Sequence, residues 1–213
     1  MVSWLYYRLK RIVLRMENDM FTDVEEKIRK KNAILFSRSS ASLKDLRALI
    51  CEQTHLTLVL WAFDCLQIPL AALRSSYPDE GDILSAYQLS LAWAHGDIKM
   101  PAAKRAIMQC HAVAKRLQND ADIALCHAVG QGCATVHVET HAIGLTFYEL
   151  TALVIQCGYK DYQDTVLEKI GFYTERLTWW QEHTPAYAAG EKWAGFLTKP
   201  VTVNKEKLYD LKV

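Results

Sequence analysis

The sequence predicts an all-α protein, either a single-domain multi-helix bundle or a stack of antiparallel helical hairpins. Apolar residues recur at helical spacing in most segments, and no segment shows the alternation typical of a half-buried strand. The chain has 213 residues with only 9 glycines and 5 prolines, so long disordered segments are not expected. Short connections between the helical patterns favour antiparallel neighbours.

Composition indicates which partners and which cellular compartment to expect. The formal net charge is +1, which does not indicate binding to nucleic acid. No run of 18 or more apolar residues occurs, so no membrane span is expected. Basic residues interrupt the first 16 residues, which therefore lack the apolar core of a signal peptide. The cysteines form no CxxC pair and lie in apolar helical patterns, as expected for reduced core residues in the cytoplasm. They are Cys51, Cys65, Cys110, Cys126, Cys133 and Cys157.

The chain divides into three predicted parts. Residues 1–36 form an N-terminal amphipathic helical extension, residues 37–184 a helical core domain, and residues 185–213 a C-terminal tail packed on the core. In the extension, apolar residues recur at helical spacing from Leu5 to Met20, with basic residues between them. A second short helix follows and runs to about residue 31.

Within the core domain, glycine and proline mark the predicted helix boundaries. A strongly apolar helix begins at Thr54, and Pro69 predicts a kink or restart because proline lacks an amide hydrogen and clashes with the preceding turn. The next helix closes at Gly96, a natural left-handed cap. The following helix has Pro101 in its tolerant first turn. It runs to Leu117.

A single long helix is predicted from Ala121 to Cys157. It carries acidic or basic residues only at Asp122, Glu139 and Glu149, so we expect other helices to surround it. The last predicted helix begins near Tyr162 and ends at Thr184, because Pro185 follows. Trp193, Phe196 and Leu197 are expected to dock the C-terminal tail on the core.

On that long helix, His127, His137 and His141 share one predicted face. His137 and His141 are one turn apart, a spacing that allows two imidazoles to bind one zinc or other divalent metal ion. The intervening text is HVETH rather than HExxH, so Glu139 would point to the opposite side of the helix. No third ligand is evident, and buried histidines hydrogen-bonded between helices are the favoured interpretation.

Two other polar contacts are predicted in the core. His111 and His127 lie eight residues on either side of Asn119, so an antiparallel hairpin would place them at the same height. Asp64 lies in a very apolar helix and must find a hydrogen-bond donor or reach solvent. No phosphate-binding, dinucleotide-binding or GxSxG motif is present. We therefore expect no cofactor and no catalytic residue.

Four segments carry a resemblance to a known family. They are LVLWAFDC at 58–65, YPDEGDILSAYQLSLAWAHGDI at 77–98, CHAVAKRL at 110–117 and ATVHVETHAIGLTFYEL at 134–150. In order and spacing, the chain from about Leu46 to Trp180 resembles the immunity-protein family of bacterial polymorphic-toxin systems. The resemblance implies an all-helical cytoplasmic protein that binds and neutralises a cognate protein toxin, with no established chemistry.

Two alternatives stay open at this stage. One is a metal-binding helical protein, or a metal-dependent hydrolase, that uses His137 and His141. The other is a scaffold that forms a homo-oligomer through its N-terminal helix. The near-neutral net charge argues against a mainly electrostatic mimic of nucleic acid.

Overall fold

The computed structural model describes residues 19–199 and 203–212, and this part of the chain is all-α, as predicted. The α-helices are α1 Thr22–Arg29, α2 Lys44–Cys51, α3 His55–Cys65, α4 Gln67–Ser76, α5 Gly81–His95, α6 Met100–Val113, α7 Asp120–Ala134, α8 His141–Gln156, α9 Gln163–Gly190 and α10 Gly195–Thr198. Short 3-10 segments cover Ala41–Leu43 and Lys205–Lys212. The predicted helix from Leu5 lies outside the described residues except at its last two positions, 19 and 20, which are helical.

Several predicted helix boundaries are confirmed by local chemistry. The Thr54 hydroxyl accepts a hydrogen bond from the Thr57 amide at 3.1 Å and caps α3. The apolar helix stops at Cys65 and restarts as α4, which places Pro69 in the first turn of the new helix. Gly96 ends α5 with φ +79°, the left-handed conformation that glycine adopts without strain.

The prediction of one long helix from Ala121 to Cys157 is wrong. Two helices, α7 and α8, are joined by a turn at residues 135–140. The turn sequence TVHVET is rich in β-branched residues, which favour helix less than the flanking residues do. His55 Nε2 donates a hydrogen bond to the backbone carbonyl of Thr135 at 2.7 Å, so a side chain satisfies a carbonyl at the end of α7.

The predicted end of the last helix at Thr184 is also wrong, because α9 continues through Pro185 to Gly190. Proline removes one helical hydrogen bond and costs about 3 kcal/mol inside a helix. Packing beyond the proline offsets this cost. The Tyr187 ring lies edge-on to Trp180 at 5.3 Å and also contacts Trp193 at 6.2 Å.

Helix α7 lies at the centre of the core and packs against α3, α4, α5, α6 and α8. Helix α9 packs across α2, α3 and α8. All six cysteines are free thiols, and all except Cys157 are buried. Burial of α7 on several sides explains why its sequence carries so little charge.

Residues His55–Ser76, which comprise α3 and α4, are long and apolar enough to cross a membrane, with a mean hydropathy of 1.8. In the most apolar 18-residue window of this stretch, 72% of the residues are buried inside the protein. The core helices of soluble proteins have the same length and composition, so packing accounts for the hydrophobicity. The expected absence of a membrane span stays a prediction.

A buried carboxylate attaches the end of the chain to the core. Glu206 is fully buried, and its Oε1 accepts hydrogen bonds from Arg38 Nε and Arg47 Nε, both at 2.8 Å. Asn204 Nδ2 donates to the carbonyls of Ile50 at 2.9 Å and Gln53 at 3.1 Å. Ion pairs of this kind become strong when desolvated and fully hydrogen-bonded. Asn204 and Glu206 are therefore held by α2, by the loop that follows it and by Arg38.

Candidate functional site

The histidines nominated by sequence lie on three different segments rather than on one helix face. His127 is on α7, His137 is in the turn between α7 and α8, and His141 is the first residue of α8. Helices α7 and α8 form an antiparallel hairpin, since Gln131 contacts both His141 and Gly144 while His127 lies against Tyr148. The predicted single stripe therefore does not exist.

His111 and His127 meet between α6 and α7. Their Nδ1 atoms are 2.9 Å apart, and the His127 ring also lies 5.1 Å from the Tyr148 ring. A hydrogen bond between two Nδ1 atoms requires one protonated and one unprotonated nitrogen, so the accepting ring is neutral. Burial lowers the pKa of both His111 and His127, which favours two neutral rings in complementary tautomers. Burial, together with the nearby imidazoles of His127 and His141, lowers the pKa of His111 to about 4.

The close approach of these helices depends on small residues. A Cβ atom at Gly130 would stand 2.6 Å from His111 Nε2, and one at Gly144 would stand 2.6 Å from Gln131 Oε1. His141 Nδ1 donates to the same Gln131 oxygen at 2.7 Å. Each of these polar groups thus has a protein partner, as buried polar groups usually do.

His137 and His141 have separate environments. His137 is exposed and its ring lies 6.1 Å from Trp93, whereas His141 is half-buried on Gln131. Among the residues that the structure describes, no group of three or more His, Cys, Asp or Glu side chains is arranged to hold a metal ion. The metal-binding interpretation of His137 and His141 stays a prediction.

Glu139 lies in the turn between α7 and α8 and is buried. It is 2% exposed, with Oε1 at 4.0 Å from His55 Nδ1 and Oε2 at 3.9 Å from Lys205 Nζ. The predicted position of Glu139, opposite His137 and His141 on one helix, is wrong because that helix ends at Ala134. Burial is the main cause that lowers the pKa of His55.

Asp64 lies between two donors from α9. Its Oδ2 accepts hydrogen bonds from Arg176 Nε at 2.6 Å and from Trp180 Nε1 at 2.9 Å. A second link joins α9 to α8, where buried Glu149 pairs with Lys169 Nζ at 2.6 Å and accepts the Tyr173 hydroxyl at 2.6 Å. Burial raises the pKa of Glu149 despite these donors. Both basic side chains of α9 are therefore engaged by carboxylates of the core.

A groove of about 680 Å³ lies beside the His111–His127 pair, between residues 31–35, α7 and α8. Its wall is mostly apolar and includes Ile34 and Ile155, with His127 and Tyr148 at one end. The Leu35 amide donates to Thr151 Oγ1 at 3.0 Å and fixes the extended segment over α8. Sequence periodicity did not indicate this groove, since it depends on a non-helical segment far away in the chain.

The outward side of α9 carries a second feature, which we call the α9 outer face. It consists of Asp164, Glu168, Glu175, Trp179 and Glu182. All five residues are exposed. Trp179 packs partly on its neighbours and is 39% exposed. At 100° per residue the four carboxylates fall within about 40° of one another, roughly opposite the buried residues of α9. Sequence reasoning missed this face, although the spacing of the acidic residues was available.

The comparisons with known proteins give one match. A family model described as "Imm-5 like putative immunity protein" matches residues 48–176, more than half of the chain. The matched range extends from α2 into α9 and includes His111, His127, His137, His141 and Asp64. No curated protein and no solved structure matches the chain.

Proposed function

Because this chain belongs to the family of Imm-5 like immunity proteins, we propose that it binds a cognate bacterial protein toxin and neutralises it by forming a stoichiometric complex. The observation that carries the proposal is the family match over residues 48–176. A protein that acts by covering or distorting a toxin needs a stable, complementary surface and no catalytic group of its own. We propose a cytoplasmic location on the same grounds, and the free cysteines agree with it.

The geometry of the histidines supports binding rather than catalysis. His111 and His127 bond to each other, His141 bonds to Gln131, and His55 bonds to a backbone carbonyl. These contacts join α3, α6, α7 and α8 and occupy the imidazole nitrogens within the core. Helices held together before a partner docks lose less conformational entropy on binding.

Co-expression tests the proposal. The polypeptide encoded by the adjacent reading frame is expressed from an inducible promoter in a bacterial host, with and without this protein. We expect growth arrest in its absence, rescue in its presence, and co-purification of the two chains. The matched control is a copy of this gene with an early stop codon. Persistent arrest together with no co-purification would exclude the immunity function.

The metal-dependent alternative has its own measurement. Metal analysis of the purified protein, repeated for His137→Ala and His141→Ala, reports whether zinc binds in a one-to-one ratio. Stoichiometric zinc that both substitutions abolish would favour the alternative. Rescue of growth that survives both substitutions supports the binding mechanism.

A further inference from the structure

We infer that the α9 outer face is the toxin-binding surface and that it binds a basic, lysine- and arginine-rich surface of the toxin. The inference rests on the proposed function and adds the location of the surface and the chemistry of the partner. It depends on three observations: a helix face that packs against no other element of the described residues, an exposed tryptophan ordered by its neighbours, and exposed charges of a single sign. Each is an observation of the structure, whereas the family match supplies only the proposed function.

The first observation is that α9 has one side buried and one side open. Its buried residues, Val166, Tyr173, Leu177, Trp180 and Thr184, follow one another at helical spacing and face α2, α3 and α8. The α9 outer face lies about 180° away around the helix axis. From Asp164 to Glu182 it is roughly 27 Å long at ~1.5 Å per residue, a length that matches a standard protein interface.

The second observation is the packing of Trp179. The His183 ring stacks on it at 4.0 Å with an interplanar angle of 8°, and the Arg176 guanidinium lies 4.8 Å from its ring centroid. Trp180 meets it edge-on at 4.8 Å. The indole is thus exposed but already ordered before any partner arrives. Tryptophan is the residue most enriched among interface positions that dominate binding energy, and prior ordering lowers the entropic cost of binding.

The third observation is that the exposed charge on α9 has one sign. Asp164, Glu168, Glu175 and Glu182 make no ion pair or side-chain hydrogen bond with any residue between 19 and 199 or between 203 and 209. Both Lys169 and Arg176, the two basic residues of α9, are paired with carboxylates: Lys169 with buried Glu149, and Arg176 with Asp64 while its guanidinium lies beside Trp179. The near-neutral net charge of the whole chain therefore conceals an acidic face.

These observations select the partner by charge complementarity. An acidic face around an ordered aromatic anchor attracts a basic protein surface and repels nucleic acid and anionic membranes. It also repels the same face of a second copy, because like charges across a two-fold interface oppose association. The occupant that fits is a toxin whose binding surface is rich in lysine and arginine.

The test compares two double charge reversals that change the net charge equally. Glu175→Lys with Glu182→Lys alters the α9 outer face, whereas Glu25→Lys with Asp79→Lys alters exposed positions on α1 and on the loop before α5. Affinity for the purified polypeptide encoded by the adjacent reading frame is measured by calorimetry. We expect the first variant to bind on the order of tenfold or more weakly, and the second to bind within about twofold of the unmodified protein.

Two further measurements complete the test. Trp179→Ala is expected to weaken binding on the order of tenfold. Raising the salt concentration is expected to reduce the affinity of the unmodified protein more than that of the Glu175→Lys/Glu182→Lys variant. Circular dichroism confirms that each variant is folded. If the unmodified protein binds and the α9 variants bind equally well, the inference is wrong while the proposed function stands. If both double variants lose affinity equally, the effect is one of net charge and the inference is also wrong.

Failure of the unmodified protein to bind would instead contradict the proposed function itself. Sedimentation of the protein alone tests the other candidate for this face, a second copy of the same chain. A dimer that the α9 variants disrupt, with toxin binding unchanged, would assign this face to self-association and overturn the inference.

Discussion

Single residues between α6, α7 and α8 are held in a defined protonation state by their partners. The hydrogen bond between His111 Nδ1 and His127 Nδ1 requires that at least one of the two rings is neutral. His127 and His141 also have lowered pKa values, with burial as the main cause. Protonation of both His111 and His127 would replace the hydrogen bond with two facing donors, so acid is expected to loosen the contact between the helices.

We predict that stability falls as the pH is lowered from about 6.5 towards 4. The pKa of His111 is about 4 in the folded protein and 6.5 in the reference state, so between these values the unfolded chain binds a proton that the folded chain does not. Stability from this group is fully present above pH 6.5 and decreases by on the order of 1–3 kcal/mol across the window. Denaturant unfolding at several pH values measures it.

His111→Gln should flatten that pH dependence, and the exposed His183→Gln provides the control. His183 stacks on Trp179 at the surface and has no contact with the cluster. Equal slopes for the unmodified protein and His111→Gln would contradict the account of the neutral pair.

The fully buried Glu206 carries a negative charge that stabilises the fold. Glu206→Gln retains the shape of the side chain but removes the charge that faces Arg38 and Arg47. Uncompensated buried charge is strongly destabilising, so we expect a loss on the order of 2–4 kcal/mol in the free energy of unfolding. Chemical denaturation measures it, with the exposed Glu182→Gln as control, where a change within about 0.5 kcal/mol is expected. Comparable losses in the two variants would show that the buried network contributes little.

At the scale of elements, the α7–α8 hairpin depends on glycines that permit close approach. A Cβ atom at Gly132 would stand 2.7 Å from Leu145 Cδ1 and 2.8 Å from Leu66 Cδ2, whereas nothing lies within 4 Å of a Cβ atom at Gly171 in α9. Both glycines are within helices, so propensity alone would predict that alanine stabilises either position. Packing therefore decides whether alanine at position 132 stabilises or destabilises the protein.

We predict that Gly132→Ala destabilises the protein by about 1–3 kcal/mol through overpacking. Gly171→Ala should stabilise it by about 0.5–1 kcal/mol, since alanine loses less backbone entropy on folding and meets no neighbour. Thermal and chemical unfolding of the two variants provide the comparison. A stabilising Gly132→Ala would show that α7 and α8 are more loosely packed than the structure indicates.

Helix boundaries show how far sequence reasoning reaches. Thr54, Pro69 and Gly96 act through their own backbone or side-chain chemistry, so their effects are visible in the sequence. The turn at residues 135–140 depends on a tertiary partner, His55. The helix that passes through Pro185 carries aromatic contacts on both sides of the proline, between Tyr187 and Trp180 and between Tyr187 and Trp193, which the rule for proline alone does not include. Helical periodicity continues across the turn, and for that reason two helices were predicted as one.

For the whole molecule, contacts between residues close together in the sequence were more predictable than contacts between distant residues. The meeting of His111 and His127 follows from counting residues around one turn. The contacts of Glu206 with Arg38 and Arg47 join residues more than 150 positions apart, and no local pattern indicates them. The α9 outer face lies between these cases, because the acidic spacing is local but its exposure depends on how α9 packs.

The central claim is that this protein acts by binding one toxin molecule with one copy of itself. Calorimetric titration with the purified polypeptide encoded by the adjacent reading frame tests this claim most directly. The account predicts saturation at a one-to-one ratio, with an affinity that the Glu175→Lys/Glu182→Lys variant loses. The absence of saturable binding, under conditions in which the co-expressed protein still protects cells, would contradict stoichiometric neutralisation.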